Sequence, residues 1–195
     1  MVSEQIVLRQ WRDDDLEPYA AMNADPVVME FFPGLLTRDE SAESLARQRA
    51  LIAGRGWGLW VVEVDGAFAG FTGLAVPRFT AAFTPCVEIG WRLRREFWGR
   101  GIAFAAATAA RNHAFTALQL PDLVSFTAAI NVRSRRLMQR LGFRRNENED
   151  FLHPSLDPGS PLCLHVLYRL ARPANVPLPP PVSPVNWPVA TLVTT

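Results

Sequence analysis

The chain has 195 residues, 49% of them hydrophobic, which is enough for one domain with a full core. Its net charge of +1 and pI near 7.9 leave no bulk electrostatic footprint, so neither nucleic acid nor a membrane is expected as a partner. Cys86 and Cys163 sit in apolar strand-like runs and read as buried free thiols; with no apolar leader segment and no run of about 18 uncharged apolar residues, a cytoplasmic location is expected.

Gln5–Trp11 reads as a first strand. Asp13, Asp14 and Asp15 then supply carboxylates to the start of a helix carrying Leu16, Tyr19, Ala20 and Met22. Asp25-Pro26 predicts a second, short helix, ended by Phe31-Phe32-Pro33-Gly34. Thr37 and Glu40 form a capping box for a helix running to about Ala53, with Leu45 and Ile52 inward and Gly54 and Gly56 as its stop. Gly58–Val64 and Ala67–Val76 are strands joined by the hairpin signal Asp65-Gly66. The apolar loop Pro77–Pro85 is either a flap on the core or the edge of a pocket.

Cys86–Leu93 is a central strand. It leads through Arg94-Arg95-Glu96 and Trp98-Gly99-Arg100-Gly101 into an Ala-rich helix from Ile102 to about Leu118, with Ile102, Ala105, Ala106, Ala109 and His113 on one face. Strand, glycine turn and helix in that order present free N–H groups at a positive helix end, where an anion binds. Phe104 stands where a dinucleotide fingerprint needs its third Gly, and no Gly-Lys-Ser/Thr follows, so neither a Rossmann motif nor a P-loop is present. After Pro121-Asp122, Leu123–Ala129 is a strand. Asn131-Val132-Arg133-Ser134 opens a helix that stops at Leu141-Gly142-Phe143. Strands at Arg144–Glu149 and Leu162–Leu170 flank the loop Asp150–Pro161. From Arg172 the chain holds seven of its 16 prolines, and residues 172–195 read as a separate Pro-rich tail. Trp187, Val189, Leu192 and Val193 suggest that the tail docks extended, beyond the completed sheet, on its own domain or on a second subunit of a homodimer.

The segment Glu96-Phe97-Trp98-Gly99-Arg100-Gly101, with Asn-x-x-Ser and Leu-Gly-Phe later, resembles the GNAT family of N-acetyltransferases over roughly residues 4–170. Glu96 departs from the family's usual Gln or Arg. The wording Arg-Glu-Phe-Trp-Gly-Arg-Gly-Ile-Ala is similar to the branch of ribosomal-protein N-terminal acetyltransferases. The resemblance implies an α/β domain, residues 1–171, with a mixed, mostly antiparallel sheet and helices on both faces. It implies acetyl-CoA as co-substrate and a primary amine as acceptor: a protein N-terminus, or a small amine such as an amino sugar, polyamine or antibiotic. The first helices would form one wall of the acceptor site.

On the same resemblance, Trp91, Leu93 and Arg94 lie where a splayed strand pairs with the pantetheine arm, and a backbone N–H near Leu93 polarises the thioester. The pyrophosphate falls on Trp98, Gly99, Arg100, Gly101, Ile102 and Ala103. Arg94, Arg95 and Arg100 add charge there, Arg135 or Arg140 lies toward the adenosine, and Asn131 caps its helix or holds the arm. Glu88, a carboxylate inside an apolar strand, is either solvent-facing or the general base. Ser134 is the candidate acid for the thiolate, because Met138 occupies the position of the Tyr that many relatives use. A non-catalytic acyl-CoA sensor is the alternative reading, and a nucleotide-phosphate binder a third. His113, His153 and His165 lack metal-ligand spacing, so no metal is expected; His153 is a candidate acceptor contact. No Gly-x-Ser-x-Gly elbow is present.

Overall fold

The computed structural model describes residues 4–174 and the strand at 190–193. Nine strands form one sheet: β1 (Gln5–Arg9), β2 (Leu59–Val64), β3 (Ala67–Ala75), β4 (Glu88–Leu93), β5 (Asp122–Ala128), β6 (Arg144–Arg145), β7 (Phe151–Leu152), β8 (Leu164–Ala171) and β9 (Ala190–Val193). Their order is β6-β8-β5-β4-β3-β2-β1-β9, with β7 also on β8. Among the described residues four α-helices cover it: α1 (Leu16–Asn23), α2 (Arg38–Arg55), α3 (Ile102–Thr116) and α4 (Val132–Arg140). The mixed, mostly antiparallel sheet is as expected.

Local signals account for most boundaries. The Thr37–Glu40 capping box forms as written, and Gly56 closes α2 in the left-handed conformation at φ 78°. Asp65 and Gly66, both at positive φ, turn β2 into β3. Ala106, Ala110 and Ala114 of α3 are fully buried. Their short side chains let the helix lie close against β1, β3 and β4. That buried line is displaced from the expected face, because Ala105, Ala109 and His113 are only partly covered.

Several expectations need correction. The first strand stops at Arg9, because Trp11 turns its indole N–H to the Leu59 carbonyl at 2.7 Å and joins the core instead. Asp25-Pro26 opens no helix: the Asp25 carboxylate accepts from the Val27 N–H at 2.8 Å, a local turn that competes with helix. Arg144–Glu149 pairs only at Arg144–Arg145 before a 3₁₀ turn at Glu147–Glu149. The tail does not lie wholly beyond the sheet, for Ala190–Val193 pairs antiparallel with β1. These four residues follow the last proline and keep every N–H donor. Trp187 and Val189 lie outside the described residues.

Asp15 caps as expected, its carboxylate accepting the Arg12 N–H at 2.7 Å. It is also 2% exposed and grips Arg9, itself 6% exposed, through two hydrogen bonds of 2.7 Å. Glu63 on β2 takes the third side of the guanidinium at 2.5 Å. This buried pair ties β1 and the start of α1 to β2. Asp15→Ala leaves the buried Arg9 with Glu63 as its one carboxylate and should cost about 3 kcal/mol, read as a lowered urea midpoint; an unchanged midpoint would show that the pair contributes nothing.

Candidate active site

β4 and β5 are neighbours in the sheet yet meet at a single parallel bridge, Glu88 opposite Val124. Beyond it β5 pairs for seven residues with β8, and β4 for six with β3, so the two strands part. The Arg94 N–H donates to Ala69 of β3 at 2.9 Å, which fixes the parity of β4. Even-numbered N–H groups face β3, and those of Trp91 and Leu93 face the gap. The Ile89 and Leu93 carbonyls on that side are taken by the Ser125 hydroxyl and the Trp98 indole, each at 2.9 Å. The gap widens into a cleft of about 770 Å³.

At the carboxyl end of β4 the chain makes a 3₁₀ turn, Arg95–Phe97, and then reaches α3 through Gly99 and Gly101 at φ 75° and 78°. A Cβ on either glycine would meet nothing within 4 Å. The left-handed backbone, rather than crowding, therefore demands them. The first N–H of α3 to find a backbone acceptor is that of Ala105, on Gly101 at 3.0 Å. The amides before it point along the helix axis toward the cleft mouth. Trp98 contributes its ring but not its amide, which is already bonded to Arg95 at 3.1 Å.

Of the expected cofactor residues, Trp91, Leu93, Trp98, Gly99, Gly101, Ile102, Ala103, Asn131 and Arg140 line this cleft, and Arg94 and Arg100 do not. Arg94 folds back on Glu96 at 2.6 Å and on the Phe68 carbonyl. Arg100 turns to Glu4 and to the ring of Phe97. Arg135 is spent on the Ala129 carbonyl. Their place is taken by Arg133 and Arg136 of α4, which sequence reasoning passed over. Arg133 lies 4.4 Å over the Trp98 ring and pairs with Glu30 at 2.7 Å, spanning the cleft. Arg140 stacks on Phe104 at 4.5 Å.

Both candidate catalytic groups line the cleft. Glu88 makes no hydrogen bond or ion pair among the described residues, and burial alone holds its carboxyl up at about 8. Asn131 accepts the Ser134 N–H at 3.1 Å and donates to Thr127 at 3.0 Å, so it is the cap of α4. That frees the Ser134 hydroxyl from capping. Met138, one turn on, is 1% exposed and sealed in the core. Four phenylalanines, Phe79, Phe83, Phe126 and Phe151, pack with His153 and His165 beyond Glu88. The loop Pro77–Pro85 is thus a flap on this cluster, while Phe126 and both histidines reach the cleft. Burial lowers both histidines, His165 to about 4, so they are neutral there.

Arg92, also missed, shares a face with Glu88 two alternations along β4, and that parity was readable in the sequence. Burial pulls its guanidinium down to about 10. Among the described residues, no cluster of side chains is arranged to hold a metal ion, and no helix is long and apolar enough to cross a membrane.

An acetyltransferase (GNAT) domain model matches residues 5–144. An uncharacterised protein of Bacillus subtilis is 29% identical over 73% of this chain and 83% of its own length. The FsC-acetyl coenzyme A-N(2)-transacetylase of Aspergillus fumigatus is 30% identical over 65% of this chain; the match spans 57% of that enzyme. An acetyltransferase structure from Agrobacterium tumefaciens superposes with a TM-score of 0.67 at 25% identity, covering 87% of this chain and 92% of that one.

If the first turn of α3 is the anion site, Gly101→Asp should lower CoA affinity about tenfold or more in calorimetry, whereas Gly101→Asn, which tolerates the same backbone without the charge, should lose much less. Equal affinity in both variants, with the fold intact, would remove this terminus as the site.

Proposed function

The chain belongs to the GNAT acetyltransferase family, and we propose that it moves an acetyl group from acetyl-CoA to a primary amine by direct attack in the cleft between β4 and β5. The observation that carries this reading is the parting of the two strands with Glu88 at its closed end and the free α3 amides at its mouth. The cleft fits the co-substrate on its own terms. Trp91 and Leu93 offer unpaired backbone N–H groups to an extended, amide-bearing arm. The amides of Gly99 to Ala103, with Arg136 and Arg140 near, suit a diphosphate.

Acetyl-CoA supplies the activated acetyl group. The amine nitrogen bonds to the carbonyl carbon, the carbon–sulfur bond breaks, and one proton must leave the nitrogen while the sulfur gains one. Glu88 takes the amine proton, directly or through water. The N–H of Leu93 donates to the carbonyl oxygen as negative charge gathers there. The Ser134 hydroxyl donates to the departing sulfur; its freedom from the cap and its place on the cleft wall support that role. The acceptor amine is a protein N-terminus or a small amine.

The Glu88 carboxyl is protonated below about 8 and works as a base only above it. So kcat/KM should rise with pH toward an inflection near that value. Glu88→Gln should remove the inflection and cost about 10²–10⁴ in rate. A Gln variant that keeps the inflection would assign the titration, and the base, elsewhere.

Ser134→Ala should lower kcat with little change in CoA affinity, measured by thiol release and by calorimetry on one preparation. Full turnover in that variant would take the acid role from Ser134.

A further inference from the structure

The face of β4 that looks toward α1 and α2 carries Glu88, Gly90 and Arg92 in succession. They lie opposite Ala75, Gly73 and Phe71 of β3. A Cβ on Gly90 would meet only the Glu88 carboxyl, at 3.8 Å, so the strip between Glu88 and Arg92 is open. Four residues of strand separate their Cα atoms by about 13 Å. Both side chains line the cleft, as do Phe31, Phe32 and Phe71.

Arg92 is held where it is. Its Nη1 donates to the Asn23 side-chain oxygen at 2.7 Å, and Asn23 in turn donates to the Ser41 hydroxyl at 3.0 Å, both of the latter fully buried. Its guanidinium stacks 3.9 Å over Phe32. Yet no carboxylate answers its charge: the anchor is a neutral amide, Nε is buried with no hydrogen-bond partner, and Nη2 makes no hydrogen bond among the described residues. The cleft's nearby acid on the loop before α2, Glu30, is already paired with Arg133. Arg9, which is 6% exposed, takes two carboxylates. A fixed, desolvated cation without a counter-charge is costly unless a ligand brings one.

Resting on the acetyltransferase reading of the cleft, we infer that the acceptor is an amine that also carries a carboxylate, its amine at Glu88 and its carboxylate on Arg92, with the open strip over Gly90 between them. Arg133, Arg136 and Arg140 belong to the α4 wall and leave Arg92 as the cation of this face. One guanidinium with one anchored nitrogen suits a carboxylate, whereas a phosphate dianion calls for more than one cation. The same charge repels polyamines, which bring cations to both ends of the strip.

The test uses the full chain, saturating acetyl-CoA and thiol release, with ω-amino carboxylates of increasing length, each beside its ω-amino carboxamide, and spermidine. The carboxylates should be preferred, with an optimum in length. Arg92→Gln should lower kcat/KM for the carboxylates roughly ten- to a hundredfold and leave the carboxamides within about twofold; Arg92→Lys should restore part of the loss. Wild-type preference for the carboxamides or spermidine overturns the inference and leaves acetyl transfer standing. So does an equal loss of both series in Arg92→Gln, which would make Arg92 a support of the wall only. No thiol release with any amine overturns the acetyl-transfer reading itself, and the inference falls with it.

Discussion

The site depends on one backbone constraint: β4 can satisfy only one neighbour along its length. Its even-numbered amides are committed to β3 for six residues, and its odd-numbered ones meet β5 at a single bridge. β5 is drawn away by seven pairs with β8. Unpaired strand backbone is a template for another extended chain with alternating donors and acceptors. An amide-bearing pantetheine arm is such a chain. The parting also divides the β4 side chains. Odd residues face α3, and even residues face α1 and α2.

Charge in the cleft follows from which arginines are already engaged. Arg94 and Arg100 are taken by Glu96 and Glu4, Arg135 donates to the Ala129 carbonyl, and none of the three lines the wall. Arg136 and Arg140 of α4 line it. Arg133 closes on Glu30 and the Trp98 ring, so an occupant there competes with that pair. Glu88 gains basicity from the same economy: no cation stands near it, and desolvation alone raises its carboxyl.

Much of the architecture was legible beforehand because it is written over short spans. The Thr37–Glu40 box, the Asp65-Gly66 hairpin, the Gly99–Gly101 turn and the Leu141-Gly142-Phe143 stop each depend on residues within about one turn of one another. Glu88 and Ser134 were legible as anomalies, an acid inside an apolar strand and a hydroxyl just inside a cap. The misreading at Asp25 also has a local cause: its carboxylate forms its own turn where a helix was expected.

The sequence by itself determined the order of elements, the strand–turn–helix succession at Gly99–Gly101 and the family, because backbone conformation and capping are decided by near neighbours. Only the tertiary structure decided which arginines face the cleft. A guanidinium at the end of a long, flexible stem takes whatever acceptor folding brings within reach, and those acceptors are remote: Glu4 lies 96 positions from Arg100, and Asn23 lies 69 from Arg92. The same holds for Ala190–Val193, whose place beside β1 is set by hydrogen bonds across the length of the chain. No periodicity encodes such a meeting, because the entropy of closing so long a loop is offset only by the assembled sheet.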